Sequence, residues 1–385
     1  MSTLLTNARL ILADAVIERG ALLITQGRIA HVFPAPPAPN ELPACETVDL
    51  NGDDLIPGLV EIHTDNLEKH LMPRNGVLWP VLPAVVTHDA QCVAAGITTV
   101  FDALAVGDLE GESVRLDTLH TAFAAIDQGM REGALRADHL FHLRCELAFP
   151  RLLEELTPLI DHPAVRLVSV MDHTPGQRQY RDIAQYQKYY AKKKVSWTED
   201  TFLQAVAERK ARQLQYAAGH KAAVVAMARE RGLALASHDD TDAAHVREAQ
   251  ADGVRLSEFP TTREAASEAR RLGLSTVMGA PNVVRGGSHS GNVAALELAR
   301  AGLLDILSSD YVPASLLHAA YLLEREAGWP LWRAVATVST NPAQAVGLLD
   351  RGCIAEGQLA DLVRVKPHPS APLVQRVWRQ GSIVF

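Results

Sequence analysis

The chain has 385 residues, of which 48% are hydrophobic and 21% are charged, so it can bury a core, and disordered and fibrous classes are excluded. Its 37 basic and 45 acidic residues give a net charge of −8, which disfavours nucleic acid or an anionic membrane as a partner held by overall charge. Four widely spaced cysteines, no signal-peptide pattern and no apolar run of membrane-spanning length predict a cytoplasmic protein with reduced thiols.

The two ends of the chain share one pattern. Short alternating segments separated by Gly, Pro and Asn run from Leu4 to about Ile56, which is typical of small antiparallel strands. The last thirty or so residues return to this pattern in GCIAEGQLADLVRV and RVWRQGSIVF. We therefore expect a small β-sandwich domain formed by residues 1–56 plus 352–385.

Between the ends, short apolar strands alternate with helical stretches. The strands, in chain order, are VEIHTD, TTVFDA, FHLRCE, RLVSVMDH, LALASHDD, RLSEFP, STVMGA and DILSSD. Eight such units predict an α/β protein with a closed (β/α)8 TIM barrel over residues 57–351 rather than an open sheet. The widest gap lies between the fourth and fifth strands and predicts an insertion at about residues 174–200.

Metal-competent side chains stand at the ends of these predicted strands. They are His63, Asp65, Glu146, His173, His238 and Asp310. Because the carboxyl ends of barrel strands form one rim, we expect these side chains to converge. Imidazole and carboxylate ligands suit Zn²⁺, Mn²⁺ or Fe²⁺, and the lack of thiolate ligands indicates an open catalytic site with up to two divalent ions, Zn or Mn. A single strand-end histidine is more often a structural residue, so the prediction rests on the whole set.

The segment GAPNVVRGGSHSGN after the seventh strand has the composition of an anion cradle at a helix N-terminus. Its candidate phosphate-binding residues are Arg285, Gly286, Gly287, Ser288, His289 and Ser290. A Gly-Gly turn kept for steric reasons is the alternative. The insertion adds Arg178 and the run Lys192 to Lys194, which is either a second cationic element over the barrel mouth or a solvated face.

The phrases PGLVEIHTDN and SSDY resemble the amidohydrolase superfamily, in which an HxH motif or a variant on strand one and an Asp on strand eight hold one or two metals. Asp65 stands where the second histidine is common, and no lysine occurs between Lys69 and Lys188. The resemblance therefore implies that Glu146 replaces a carboxylated lysine as the bridge between two cations. The alternative reading of Glu146 is an ion pair with Arg144 or with a neighbouring arginine at the rim.

Longer phrases, among them LIPGLVEIHTDNLEKH and MGAPNVVRGGSHSGNVAA, resemble one branch of that superfamily, the diphosphatases that act on α-D-ribose 1-methylphosphonate 5-triphosphate in phosphonate breakdown. The resemblance implies hydrolysis between the α and β phosphates, which gives the 5-phosphate and pyrophosphate. Asp310 would orient the attacking water and take its proton, and the expected partner is a small sugar triphosphate.

Two other functions stay open. A cyclic-amide hydrolase or deaminase is the first, although Thr241 stands where such deaminases use a glutamate three residues after the histidine. The second is a metal-free scaffold, against which the intact ligand set counts. The sequence leaves the oligomeric state open, with a homo-oligomer as one option.

Overall fold

The structure is a computed structural model that describes residues 2–38, 42, 44–109, 114–181, 183, 186–187, 198–288 and 291–385. In chain order the described strands are β1 (Ser2–Ile11), β2 (Val16–Thr25), β3 (Arg28–Phe33), β4 (Glu46–Asp49), β5 (Asp54–Pro57), β6 (Leu59–Thr64), β7 (Ile97–Val106), β8 (Asp138–Glu146), β9 (Val165–Met171), β10 (Ala234–His238), β11 (Leu256–Glu258), β12 (Ser275–Gly279), β13 (Ile306–Ser308), β14 (Leu362–Lys366), β15 (Leu373–Arg379) and β16 (Ser382–Ile383).

The helices lie mostly between the strands of the middle part of the chain. The described ones are α1 (Leu67–Leu71), α2 (Val81–Ala94), α3 (Val114–Arg131), α4 (Leu152–Ile160), α5 (Glu199–Glu230), α6 (Ala243–Ala251), α7 (Arg263–Arg271), α8 (Ala280–Arg285), α9 (Ala295–Arg300), α10 (Ser315–Ala327), α11 (Leu331–Ala336) and α12 (Thr340–Ala345). None of these described helices combines the length and the apolar composition needed to span a bilayer.

Strands β6 to β13 form a parallel barrel in which each strand pairs with the next one along the chain. The barrel closes where Thr64, at the end of β6, bridges to Asp310, just after β13. Its lower interior is filled by apolar side chains from alternate strand positions, including Val60, Phe101 and Leu167. Because the polar side chains of the same strands come later in each strand, they meet above this apolar plug, at the carboxyl-terminal mouth.

The other sheet joins the two ends of the chain. Its strands run in the order β16, β15, β14, β5, β1, β2, β3, and β4 pairs with the first half of β1. Strand β5 pairs antiparallel with β14 and parallel with β1, so the sheet is mixed. The predicted fold class, a (β/α)8 barrel with a small β domain made from both ends, is confirmed.

Gly58 links this mixed sheet to the barrel, because it is the residue between β5 and β6. Its N–H donates to the carbonyl of Asp361 at 2.7 Å. A Cβ at this position would lie 2.2 Å from Oγ1 of Thr98 and 3.0 Å from Cβ of Asp361. No side chain fits at the junction, so the close approach of the two sheets requires glycine there.

Candidate metal centre

The first group of side chains at the barrel mouth surrounds the buried carboxylate of Glu258, the last residue of β11. Nδ1 of His63 lies 3.0 Å from Oε1 of Glu258, and Nδ1 of His238 lies 3.4 Å from Oε2. The two imidazole rings stack with their centroids 5.6 Å apart. When Nδ1 of each ring donates to an oxygen of Glu258, Nε2 keeps a lone pair for a metal ion.

The second group connects the ends of β8, β9 and β10. Nδ1 of His173 lies 2.6 Å from Oε2 of Glu146. Oδ2 of Asp239 lies 3.8 Å from Nε2 of His173 and 3.7 Å from Nε2 of His238. One carboxylate oxygen therefore faces two imidazole nitrogens at a separation that a shared cation can fill.

The third group lies at the seam where the first and last barrel strands meet. The N–H of Asp65 donates to the carbonyl of Asp310 at 3.2 Å, and the N–H of Asp310 donates to the carbonyl of His63 at 3.1 Å. The buried carboxylate of Glu61 accepts the backbone N–H groups of His63 and Ser309. The seam thus fixes the backbone of three predicted ligands at once.

Three residues at the ends of barrel strands have left-handed backbones. They are Asp239 with φ +57°, Phe259 with φ +53° and Asp310 with φ +54°. This region costs a side-chain-bearing residue on the order of 1–2 kcal/mol, and such strain persists where the surrounding structure enforces it. This backbone conformation changes the direction of the chain just after β10, β11 and β13, where the polar side chains of the mouth lie.

Burial sets the protonation states at the mouth. It lowers the pKa values of His63 and His238 well below the usual range, so both imidazoles are neutral near pH 7. Burial, together with the charge of Asp65, raises the pKa of Asp310 to about 7. Burial also raises the pKa of Asp239 to about 6. Several carboxyl groups are thus buried close together, and a divalent cation would offset the repulsion between their negative charges.

The donor set fits a divalent metal ion. At the barrel mouth, ligand atoms within 4.8 Å of one another come from His63, His142 and Glu258 and from His173, His238 and Asp239; among the described residues one further such group, His88, Asp102 and His139, lies away from the mouth. Neutral imidazole nitrogens and carboxylate oxygens are the ligands that Zn²⁺ and Mn²⁺ accept. His142 already contacts the Ile62 carbonyl through Nδ1 and the Ser169 hydroxyl through Nε2, so we regard it as a neighbour of the donor set.

All six predicted metal-competent residues come together at this mouth, on β6, β8, β9, β10 and β13 or just after them. Two carboxylates that the sequence analysis did not single out join them, Asp239 and Glu258. Glu258 ends the strand RLSEFP and Asp239 follows His238 directly. The rule that selected the other residues, a carboxylate at a strand end, applies to both.

The expectation of an anion cradle at a helix N-terminus after the seventh strand is wrong in its geometry. Gly286 is the left-handed C-cap of α8, with φ +77°. Its N–H donates to the carbonyl of Val283, and that of Gly287 donates to the carbonyl of Asn282. Both amides are used to end a helix, so Gly286 and Gly287 do not present free donors.

The other predicted phosphate-binding residues lie in different surroundings. Arg285 is exposed in the last turn of α8, and Ser288 is partly buried. Nη1 of Arg178 donates to Oδ1 of Asp240 at 2.6 Å and to the carbonyl of His238 at 2.8 Å, which ties this arginine to β10. His289, Ser290 and the run Lys192 to Lys194 lie outside the described residues.

A second cluster of buried titratable groups lies between α2 and the outer face of β7 and β8. Asp102 contacts Nε2 of His88 at 2.9 Å and Nδ1 of His139 at 2.8 Å, and Nε2 of His139 lies 3.3 Å from Asp89. Although burial acts to lower it, the carboxylates of Asp102 and Asp89 raise the pKa of His139 to about 9. Nδ1 of His88 contacts the side-chain amide of Asn66. The histidines and carboxylates of this cluster thus already have partners in one another and in Asn66.

Solved structures share this architecture. Dihydropyrimidinase from Brevibacillus agri NCHU1002 matches with a TM-score of 0.65 and 14% identity, over 100% of this chain and 95% of that one. N-acetylglucosamine-6-phosphate deacetylase from Pasteurella multocida matches with a TM-score of 0.61 and 13% identity, over 100% of this chain and 99% of that one. At these identities the likeness concerns the fold alone.

Sequence similarity is far closer to one curated relative. The chain is 45% identical over 384 residues to the alpha-D-ribose 1-methylphosphonate 5-triphosphate diphosphatase of Escherichia coli (strain K12), covering 99% of this chain and 100% of that protein. Residues 90–385 match the amidohydrolase family. This chain belongs to the amidohydrolase family.

Proposed function

We propose that this protein is a metal-dependent diphosphatase that cleaves the α-β phosphoanhydride of α-D-ribose 1-methylphosphonate 5-triphosphate, giving the 5-phosphate and pyrophosphate in phosphonate catabolism. The observation that carries the proposal is the 45% identity along 99% of the chain to the Escherichia coli enzyme of that name. The donor set at the barrel mouth supports it, because it suits hydrolysis assisted by divalent cations.

The proposed metal ligands are the six residues that converge at the mouth: His63, Asp65, Glu146, His173, His238 and Asp310. Glu258 holds the Nδ1 atoms of two of these imidazoles, so that their Nε2 atoms would be available to hold the ions. When bound, two divalent ions such as Zn²⁺ or Mn²⁺ supply Lewis acidity that favours deprotonation of a water and offsets negative charge on the phosphoryl oxygens. Glu146 is the residue that would hold both ions.

The proposed catalytic residue is Asp310. Its backbone is held by the carbonyl of His63 through its own N–H, so its carboxylate keeps one position relative to the first strand. A carboxylate fixed there orients the attacking water and accepts its proton. Gly279, at the end of β12, leaves space beside this carboxylate, because even a Cβ built on Gly279 would lie 3.9 Å from Oδ2 of Asp310.

The triphosphate tail would extend from the mouth toward the exposed end of α8. Arg285 is the described residue there that can meet its charge, and Ser288 follows three residues later. We extend the proposal to His289, Ser290 and Arg178, the last as a residue that shapes the mouth beside His238. The four free cysteines agree with the cytoplasmic location that the proposal includes.

The deciding experiment incubates metal-loaded protein with a panel of sugar 5-triphosphates and cyclic amides and follows pyrophosphate by phosphorus NMR. We expect pyrophosphate and a 5-phosphate from α-D-ribose 1-methylphosphonate 5-triphosphate, and loss of the reaction after chelation. A parent protein that releases no pyrophosphate from any triphosphate, but opens a cyclic amide, would replace the proposal with an amide hydrolase.

A further inference from the structure

One arginine inside the barrel has buried nitrogen atoms without acceptors. Arg144 is 6% exposed, and among the described residues neither its Nε nor its Nη1 has a hydrogen-bond partner. A buried donor without an acceptor costs about 1–3 kcal/mol and more when it is charged. Such a group in a folded protein therefore requires an explanation, and a missing ligand is one of the few available.

The alternation of side chains along β8 places Arg144 on the inward face, close to the proposed metal ligands at the mouth. In β8, Leu140, His142, Arg144 and Glu146 share the inward face; Leu140 packs on the apolar plug, and Glu146 contacts His173. Arg144 therefore stands between the plug and the rim, about 7 Å along the strand from His142 and from Glu146.

The guanidinium of Arg144 reaches across β7 toward the first strand. Ala105 is its registered neighbour on β7, and this small side chain leaves the path open. Nη1 lies 3.8 Å from Oδ2 of Asp65, beyond hydrogen-bond length. The positive charge of Arg144 also acts to lower the pKa values of His63, His238 and Asp310. The guanidinium thus forms a long ion pair with Asp65, while its Nε and Nη1 atoms have no hydrogen-bond acceptor among the described residues.

We propose that Arg144 is a substrate-binding catalytic residue whose guanidinium donates to the oxygens of the phosphoryl group attacked at the metal centre. This inference rests on the proposed function, which supplies the phosphate. A guanidinium presents five fixed N–H donors and stays charged, so it suits an oxyanion whose charge grows in the transition state. Arg285, several residues beyond the end of β12, would serve the distal phosphates instead.

A purely structural reading makes a different prediction. If Arg144 only balances the charge of Asp65, removing it should alter metal content or stability and leave the affinity for phosphate unchanged. If it binds phosphate, metal content should stay the same while phosphate affinity and turnover fall.

The test compares the parent with Arg144→Met, which keeps the length of the side chain, and Arg144→Lys, which keeps its charge. Arg151→Met is the matched control, because Arg151 is an exposed arginine that pairs with Glu155. Metal content is measured by elemental analysis, and the dissociation constant of inorganic phosphate is measured by calorimetry on metal-loaded protein. The values of kcat and KM for the sugar triphosphate are measured alongside.

We expect Arg144→Met to keep its metal, to bind inorganic phosphate at least tenfold more weakly, and to lose kcat by a hundredfold or more with a smaller change in KM. Arg144→Lys should bind phosphate several-fold more weakly, and Arg151→Met should match the parent. If the Met variant does not fold, the Lys variant decides. Phosphate affinity within twofold of the parent in the folded variant would overturn the inference.

The two proposals fail separately. If the parent binds phosphate through Arg144 yet releases no pyrophosphate from any triphosphate, the proposed reaction is wrong and the anion site stands. If the parent releases pyrophosphate and the Arg144 variants are unaffected, the reaction stands and the role of Arg144 is wrong.

Discussion

Replacing Glu258 with glutamine tests how the barrel mouth orients its imidazoles. The carboxylate accepts from Nδ1 of His63 at 3.0 Å and from Nδ1 of His238 at 3.4 Å. A glutamine keeps one oxygen, which we expect to stay on the shorter contact with His63. Its NH2 group would then face the N–H of His238 and push that ring out of orientation. Loss of such an outer partner typically lowers metal affinity about 10- to 100-fold, or about 1.4 to 2.8 kcal/mol.

The assay is competition between Glu258→Gln protein and a chelator of known affinity, with elemental analysis of the dialysed protein. Glu297→Gln is the control, because Glu297 is exposed on α9 and away from the mouth. We expect one weakened metal site in the Glu258 variant and unchanged sites in the control. Metal affinity within twofold of the parent would mean that Glu258 does not set the orientation of either imidazole.

Three further changes probe other parts of the molecule. Asp310→Asn should lower kcat about a hundredfold or more while circular dichroism stays that of the parent; activity within a few-fold would remove Asp310 from the mechanism. The pKa of His139 is raised to about 9, so its stabilising contribution is complete below about pH 6.5 and is lost as pH rises through 9. Urea unfolding at several pH values should therefore show that the free energy of unfolding of the parent falls over this range and that of His139→Gln does not. An equal fall in both proteins would refute this role of His139. Gly58→Ala should lower the free energy of unfolding by roughly 1–3 kcal/mol through its clash with Thr98. Gly219→Ala, inside α5 with open space around it, should raise it by about 0.5–1 kcal/mol. A higher melting temperature for Gly58→Ala than for Gly219→Ala would contradict both.

The barrel and the convergence of six side chains could be predicted from the sequence because both depend on local pattern. The alternation of strand and helix patterns predicts the number of β/α units. The carboxyl ends of parallel strands form one rim, which brings their last residues together. Glu258 was missed although it lies within the predicted strand RLSEFP, because that prediction ran on to Phe and Pro, whereas the strand ends at Glu258 itself. Arg144 was considered only as a partner for Glu146, since its charged neighbour Asp65 lies after β6, two strands away across β7, and the sequence alone does not pair the two residues.

The error at Gly286 has a different cause. Gly-Gly followed by polar residues is common both in anion-binding loops and at helix ends. The sequence did contain the deciding signal, because Pro281 lies in the first turn of α8, and proline in the first turn marks a helix start. A helix that starts there ends at Gly286, which makes the glycine a cap.

The seam between the first and last barrel strands would make metal binding at the proposed site a late event in the synthesis and folding of the chain. Thr64 and Asp310 are 246 residues apart in sequence, and bringing such distant segments together has a high entropic cost until the intervening strands have paired. A nascent chain on the ribosome holds His63 long before Asp310 emerges, so an incomplete chain lacks the full donor set. Because binding free energy for a metal adds to folding free energy, the proposed metal site would stabilise the protein only after the last strand of the barrel has been made and has paired with the first.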